Sequence, residues 1–116
     1  MAGPGVDYDA VFQRAIELIG KRWSGAVIRA LMGPPVRFNH LLTGIPGISD
    51  RVLTERLREL EAEGLVERLV DPGPPVRVSY QLTQAGRALE QVIDSVDTWA
   101  GAWLGAIDKH RQQAVG

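Results

Sequence analysis

The chain has 116 residues, a net charge of −1 and no cysteine. This length suits one domain with a hydrophobic core, and the lack of cysteine excludes disulfides, thiolate metal sites and thiol redox chemistry. The first residues carry neither the basic nor the apolar segment of a secretory signal, and no apolar run reaches the roughly 20 residues of a membrane span. We therefore expect a cytoplasmic protein with no membrane contact.

Hydrophobic periodicity predicts two helices in the first third of the chain. Residues 1–6 contain glycine and proline and are expected to be flexible. The first helix covers about 9–19, with an apolar stripe along one side and a glycine at its end. The second covers about 23–32 and stops at "GPP", because proline cannot continue the helical hydrogen bonds.

A helix-turn-helix is predicted next. "VRF" (36–38) is a short strand candidate, Asn39 is a good N-cap for a short helix over 40–44, and "GIPG" supplies a tight turn. Ser49 then caps a longer helix, and Gly64 ends it in the manner of a Schellman motif.

Two segments, "LVERLV" (65–70) and "VRVSYQL" (76–82), follow on either side of "DPGPP", and the second alternates strictly between apolar and polar residues. They predict a β-hairpin, and a helix-turn-helix followed directly by a hairpin is a winged helix-turn-helix. Thr83 caps a last helix that is expected to run to about residue 109, before a flexible end at 110–116. The predicted fold is α+β, mostly α, with one winged domain over 7–109.

Charge is distributed unevenly along this chain. Residues 14–58 contain eight cationic and three acidic side chains, a balance of +5, whereas residues 59–71 contain five acidic side chains and one arginine. Clustering, more than net charge, decides what a surface attracts. The basic segment includes the helix that Ser49 begins, the recognition helix of a winged domain.

A helical wheel separates the two sides of the recognition helix. Leu53, Leu57 and Leu60 face the core, and polar groups that can contact bases or phosphates lie on the exposed side or at the helix start. The candidate DNA-binding residues here are Ser49, Asp50, Arg51, Thr54, Glu55 and Arg58. The alternative is a solvated face with an Arg51–Glu55 contact worth only about 0.3–0.5 kcal/mol.

Three further residues are DNA-binding candidates. Arg37 and Asn39 precede or begin the first helix of the helix-turn-helix, and Arg77 lies on the outward face of a wing strand, where it suits a phosphate or the minor groove. His40 and His110 have no partners at metal-ligand spacing, and no catalytic or phosphate-binding fingerprint is present. We expect no metal, no cofactor and no enzymatic activity.

The last helix carries an apolar stripe too broad for so small a domain to cover. Its main members are Leu89, Val92, Val96, Trp99 and Trp103. Packing on its own domain is the simpler reading, but a partner helix fits the width better. We predict a homodimer through this stripe, with Phe12 and Ile16 of the first helix as the second component.

These stretches resemble the HxlR family of winged-helix transcriptional regulators, relatives of the MarR-like regulators. The matching segments are "ELIGKRWSGAVIRAL" (17–31), "RFNHLLTGIPGISDRVLTERLRELEAEGLVER" (37–68) and "PVRVSYQLTQAGRAL" (75–89). The resemblance implies a homodimer on operator DNA, with the recognition helix in the major groove and the wing at the backbone or minor groove.

This chain departs from the family pattern in two places. It has no cysteine for sensing oxidants or aldehydes, and it has Ser24, Gly25 and Ala26 where bulky apolar residues are usual. The small residues leave room for an unknown small-molecule effector or, as we favour, allow close helix packing.

The sequence predicts a homodimeric, sequence-specific DNA-binding transcriptional regulator that recognises a (pseudo)palindromic operator in double-stranded DNA. The alternative is a winged-helix protein–protein adaptor that binds no DNA.

Overall fold

The computed structural model describes residues 5–105, and the termini predicted to be flexible lie largely outside this range. The chain forms helices and three short strands, in the order α1 (Ala10–Ile19), α2 (Ser24–Ala30), β1 (Val36–Arg37), α3 (Phe38–Gly44), α4 (Asp50–Ala62), β2 (Val66–Asp71), β3 (Arg77–Leu82), α5 (Gln84–Arg87) and α6 (Glu90–Trp99), with a π-helical turn over Ala100–Leu104. This is the predicted mostly helical winged helix-turn-helix.

The first helix begins at the capping residue that the local sequence provides, whereas the second helix begins one residue later than predicted. The Asp9 carboxylate accepts hydrogen bonds from the backbone N–H groups of Val11 and Phe12, so Asp9 is the N-cap of α1. Trp23, expected to be the first residue of the second helix, instead precedes it with a left-handed φ of 74°. Its indole lies against Gly47 in the turn before α4, a contact that no helical periodicity encodes.

The N-cap predicted at Asn39 is wrong. Arg37 is the N-cap residue and α3 begins at Phe38, so Asn39 lies inside the helix. Arg37 also ends β1, which pairs with β3, and the chain passes from that pairing directly into the helix. Long-range strand pairing therefore overrides the local preference of asparagine for the cap.

Both predicted ends of the recognition helix α4 are confirmed. The Ser49 hydroxyl oxygen accepts from the backbone N–H of Val52 at 3.1 Å. At the other end Gly64 has a φ of 77°, and the backbone N–H of Leu65 donates to the carbonyl of Leu60 at 2.9 Å. That bond is the defining contact of a Schellman motif, in which a glycine adopts the left-handed conformation without steric cost.

The predicted hairpin is present as β2 and β3, hereafter the wing. The three strands form an antiparallel sheet in the order β1-β3-β2. Val66 and Leu82 pair across the hairpin and are buried, so this face of the sheet covers the core. Alternation along the strands puts the paired Arg68 and Tyr80 on that same face, further out from the core.

The single long helix predicted from Thr83 is wrong, because the helix is interrupted after Arg87. Thr83 caps α5 as expected, accepting from the backbone N–H of Gly86 at 3.2 Å. The backbone N–H of Leu89 then donates to the carbonyl of Gly86, three residues back, which tightens the turn before α6 begins. Residues 106–109, the predicted end of the helix, lie outside the described residues.

The core lies between α2, α3, α4 and the sheet, while α1 contributes no buried residue. Its members with almost no exposed surface are Val27, Ile28, Leu31, Leu41, Leu53, Leu57, Leu60 and Leu82. Apolar residues of α1, α6 and the π-helical turn are exposed to solvent. Among residues 5–105, no helix has both the length and the apolarity that crossing a membrane requires.

Candidate nucleic-acid interface

The outer face of α4 presents the polar groups that the helical wheel selected. The Arg51 side chain is 88% exposed, Arg58 is exposed and Thr54 is half-buried. Arg51 Nε–H donates to Glu55 Oε1 at 3.2 Å, so the predicted i, i+4 contact is present. It uses one of the five N–H donors of the guanidinium, and the others remain available to a ligand. Asp50, the first residue of α4, is also exposed.

Arg56, which the helical wheel put to the side of α4, is held by its own domain. Its side chain is only 12% exposed, Nε–H donates to the backbone carbonyl of Arg22 at 3.1 Å, and Nη1–H donates to Glu59 at 2.8 Å. Lys21 Nζ also donates to Glu59, at 2.9 Å. The Lys21 hydrogen bond is the largest effect on the pKa of Glu59 and, together with the Arg56 guanidinium, holds that pKa below its ordinary value against the opposing effect of burial. This network positions α4 against the loop between α1 and α2.

A first cleft, the β1 cleft, brings the candidates Arg37 and Asn39 together with Arg77, which is far from them in sequence. Its volume is about 290 Å³, and its lining residues are Arg37, Phe38, Asn39, His40, Val76, Arg77 and Val78. Arg37 pairs with Ser79 across the sheet, and Arg77 lies two residues from Ser79 on the same strand face. Antiparallel pairing therefore places the Arg37 and Arg77 guanidinium groups on one patch, beside the start of α3.

A second cleft, the helix–sheet cleft, lies between α4 and the wing. Its volume is about 300 Å³, and its lining residues are Phe38, Thr54, Leu57, Arg58, Glu61, Arg68 and Tyr80. It joins the candidates Thr54 and Arg58 to Arg68, which sequence reasoning did not select. Side chains alternate between the two faces of a strand, so Arg68 lies on the same face of β2 as the apolar Val66. This could have identified Arg68 as facing α4, but only once the strand pairing was known.

The cationic side chains divide into two groups according to their partners. Six form ion pairs with carboxylates, and these are Arg14, Lys21, Arg29, Arg51, Arg56 and Arg87. The other cations among residues 5–105 form no ion pair there, and these are Arg22, Arg37, Arg58, Arg68 and Arg77. Four of these five line the two clefts around α3, α4 and the wing. Uncompensated positive charge is thus concentrated where a winged domain meets DNA.

The apolar residues predicted for dimerisation are mostly exposed in the single chain. Phe12 of α1 is 64% exposed and Ile16 is 45% exposed. Along α6 and the π-helical turn, Val92, Val96, Trp99 and Trp103 are all at least 40% exposed. Leu89 differs, because it is half-buried against the core. An Arg29–Asp97 ion pair holds α6 to α2 from the side.

Close helix packing does not explain all three small residues of α2. Ser24 is buried, as close packing predicts, but Ala26 is exposed. A Cβ added at Gly25 would meet only the Ile19 carbonyl oxygen, at an ordinary 3.7 Å. Gly25 and Ala26 line an open depression of about 420 Å³. Among the described residues, no three His, Cys, Asp or Glu side chains group as a metal site would require.

Comparison with known proteins gives a consistent assignment. The model of the HxlR-like helix-turn-helix family matches residues 18–108. The HTH-type transcriptional regulator YodB of Bacillus subtilis is 47% identical over 88 residues, which are 76% of this chain and 79% of YodB. YvaP, an uncharacterized HTH-type transcriptional regulator of the same organism, is 40% identical over 93 residues, 80% of this chain and 86% of YvaP.

Solved structures of YodB share the fold. The reduced form aligns with a TM-score of 0.76 at 42% identity, covering 84% of this chain and 95% of the YodB chain. The quinone-bound form aligns with a TM-score of 0.72 at 40% identity, covering 82% and 100%. Together with the family match over most of the chain, these likenesses show that the protein belongs to the HxlR-like helix-turn-helix family.

Proposed function

We propose that this protein is a sequence-specific DNA-binding transcriptional regulator that acts as a homodimer on a (pseudo)palindromic operator. The observation that carries the proposal is the set of arginines around α3, α4 and the wing that form no ion pair within residues 5–105. Such groups are suited to phosphates and guanine edges. The relatives named above are HTH-type transcriptional regulators, which supports the same function.

The candidates divide into base-reading and backbone-binding groups. Arg51 and Thr54 lie on the exposed side of the first two turns of α4, so they read bases in the major groove, with Asp50 and Glu55 beside them. Backbone contacts come from Ser49 at the start of α4, from Arg58, and from Arg37, Asn39 and Arg77 in the β1 cleft. The protein does this work in the bacterial cytoplasm and catalyses no reaction.

Dimerisation is supported by the apolar surface of α1, α6 and the π-helical turn. One recognition helix reads only a few base pairs, so a specific regulator of this size needs a second copy. The exposed Trp99 and Trp103 lie one turn apart and, with Phe12 and Ile16, form the large apolar surface that a partner chain would cover. An inverted repeat in the operator follows from a two-fold axis between the copies.

A change of salt concentration separates DNA binding from the adaptor function. We would measure the affinity of the purified protein for duplex DNA while potassium chloride is varied. Release of counterions from phosphates should give a steep linear fall of log K with log salt, at about 0.9 per phosphate contact. Absence of binding, or binding that salt does not weaken, would favour the winged-helix adaptor.

The interface between the two copies is tested with a double variant. Trp99→Ala with Trp103→Ala should give a monomer, or an unfolded chain if folding requires the dimer, and DNA affinity should collapse although every DNA-facing residue is intact. Trp99→Phe with Trp103→Phe keeps large apolar rings and should remain dimeric. Light scattering reports the mass of each protein. A dimer that survives the double alanine change would exclude this interface.

An effector remains compatible with this function, but not one sensed through a thiol. YodB has been solved in a quinone-bound form, whereas this chain has no cysteine. Any small-molecule effector of this protein would therefore bind without forming a bond to a cysteine sulfur.

A further inference from the structure

We propose that Arg58 and Arg68 together hold one phosphate of the operator backbone in the helix–sheet cleft, so that the recognition helix and the wing clamp the same DNA strand. This inference rests on the proposed function and adds a contact residue, Arg68, from a strand that the sequence did not implicate. The two arginines come from different elements, α4 and β2, and line one cleft of about 300 Å³.

Strand geometry aims Arg68, and not its acidic neighbours, at α4. Arg68 pairs with Tyr80 on the face of the sheet that carries Val66 into the core. Glu67 and Asp71 lie on the opposite face, where Glu67 accepts a hydrogen bond from Gln81 and Asp71 accepts one from the backbone N–H of Gly73. The wing thus contributes a cation to the cleft and keeps its carboxylates out of it.

The charge balance of the cleft calls for an anion. Among the described residues that line it, Arg58 and Arg68 are opposed by one carboxylate, that of Glu61, which leaves a balance of +1. Within the described residues neither guanidinium forms an ion pair, with Glu61 or with any other acidic group. Two guanidinium groups that line one cleft repel each other, and a phosphate that accepts hydrogen bonds from both would remove this repulsion.

The position of the cleft identifies a DNA phosphate as its ligand, rather than a free anion. Thr54 and Arg58 belong both to the cleft and to the outer face of α4 that reads bases. A helix in the major groove is flanked by the phosphates of that groove, and the wing runs beside it. The cleft therefore opens where a backbone strand passes when α4 is in the groove.

The test compares two substitutions that change net charge equally. Arg68→Gln removes the proposed contact, and Arg87→Gln removes a cation that is ion-paired with Glu90 and lines neither cleft. Affinity for a duplex of fixed mixed sequence would be measured over a potassium chloride series, with folding checked by circular dichroism. For Arg68→Gln the slope of log K against log salt should fall, by at most about 0.9 per subunit because Arg58 still contacts the phosphate, and affinity near 0.1 M salt should fall by up to roughly tenfold per subunit. Arg87→Gln should keep the wild-type slope.

A third variant should change DNA affinity in the opposite direction. Glu61→Gln removes the only carboxylate among the described residues that line the cleft and should strengthen DNA binding. A steep wild-type slope that Arg68→Gln leaves unchanged would overturn the clamp while the proposed function stands. A wild-type protein that binds the duplex without salt dependence would instead refute the proposed function itself. If Arg68→Gln does not fold, Arg68→Lys takes its place. Lysine keeps the positive charge but lacks the planar guanidinium that donates two parallel hydrogen bonds, so affinity should fall with little change in the slope of log K against log salt.

Discussion

Replacing Gly86 by alanine should destabilise the fold strongly, although alanine is the better helix former. Gly86 is buried in α5, and a Cβ at this position would lie 2.1 Å from the carbonyl oxygen of Leu65 and 3.1 Å from Leu82 Cβ. The Leu65 carbonyl cannot turn aside freely, because it accepts a hydrogen bond from the backbone N–H of Thr83 at 3.0 Å. The added methyl group must therefore move the backbone of α5 away from the start of the wing.

The expected cost follows from these contacts. Overpacking of this kind costs about 1–3 kcal/mol, and loss of the Thr83–Leu65 hydrogen bond adds about 1 kcal/mol. The gain in helix propensity returns up to about 1 kcal/mol. The free energy of unfolding should therefore fall by about 1–3 kcal/mol. Gly44→Ala is the control, because Gly44 ends α3 and a Cβ there meets no atom within 4 Å.

Urea denaturation at one fixed protein concentration measures both variants, since the stability of a dimer depends on concentration. The midpoint should fall clearly for Gly86→Ala and stay the same or rise for Gly44→Ala. A Gly86→Ala protein within about 0.5 kcal/mol of the wild type, the usual range of a neutral surface change, would refute the packing of α5 against the wing.

Four other variants test the interface and its support. Arg51→Ala or Thr54→Ala should cost about 1–3 kcal/mol on the cognate site and relax the preference at particular base pairs, and equal losses on cognate and random duplexes would show that these residues contact only phosphates. Arg77→Ala should weaken binding to all duplexes alike and lower the salt slope by roughly one unit per lost contact, so an unchanged slope in a folded variant would remove it from the interface. The lowered pKa of Glu59 means that its pairing with Lys21 stabilises the fold fully above the ordinary glutamate pKa, about 4.3, and is lost as the pH falls through the lower folded value. The difference in unfolding free energy between wild type and Glu59→Gln should therefore shrink as the pH is lowered below about 4, and a difference independent of pH would contradict the pairing.

Structural features that depend on neighbouring residues could be predicted from the sequence, whereas features set by contacts between residues far apart in the chain could not. The caps at Ser49 and Thr83 and the glycine stop at Gly64 each depend on groups within a few residues. Asn39 carries an equally good local signal, but the pairing of β1 with β3 moves the start of α3 ahead of it. The break after Arg87 likewise follows a glycine that packs against the wing.

The same distinction applies to the candidate interface. A helical wheel is enough to put Arg51 and Arg58 on the outer face of α4, because helical periodicity is regular. Arg68 belongs to the same cleft as Arg58 only through the register of the hairpin, which fixes the strand face that meets α4. Residue spacing does not give that register across a Pro-rich turn, so Arg68 was missed.

Selection of bound sequences from a pool of random duplexes, with the purified wild-type protein, tests the central claim most directly. A two-fold pair of winged domains with α4 in the major groove predicts that the selected sequences contain an inverted repeat. The centres of its half-sites should lie about 10–10.5 base pairs apart, or a small multiple of this spacing. Recovery of a single unrepeated site, or of sequences no different from the starting pool, would contradict a homodimeric, sequence-specific regulator.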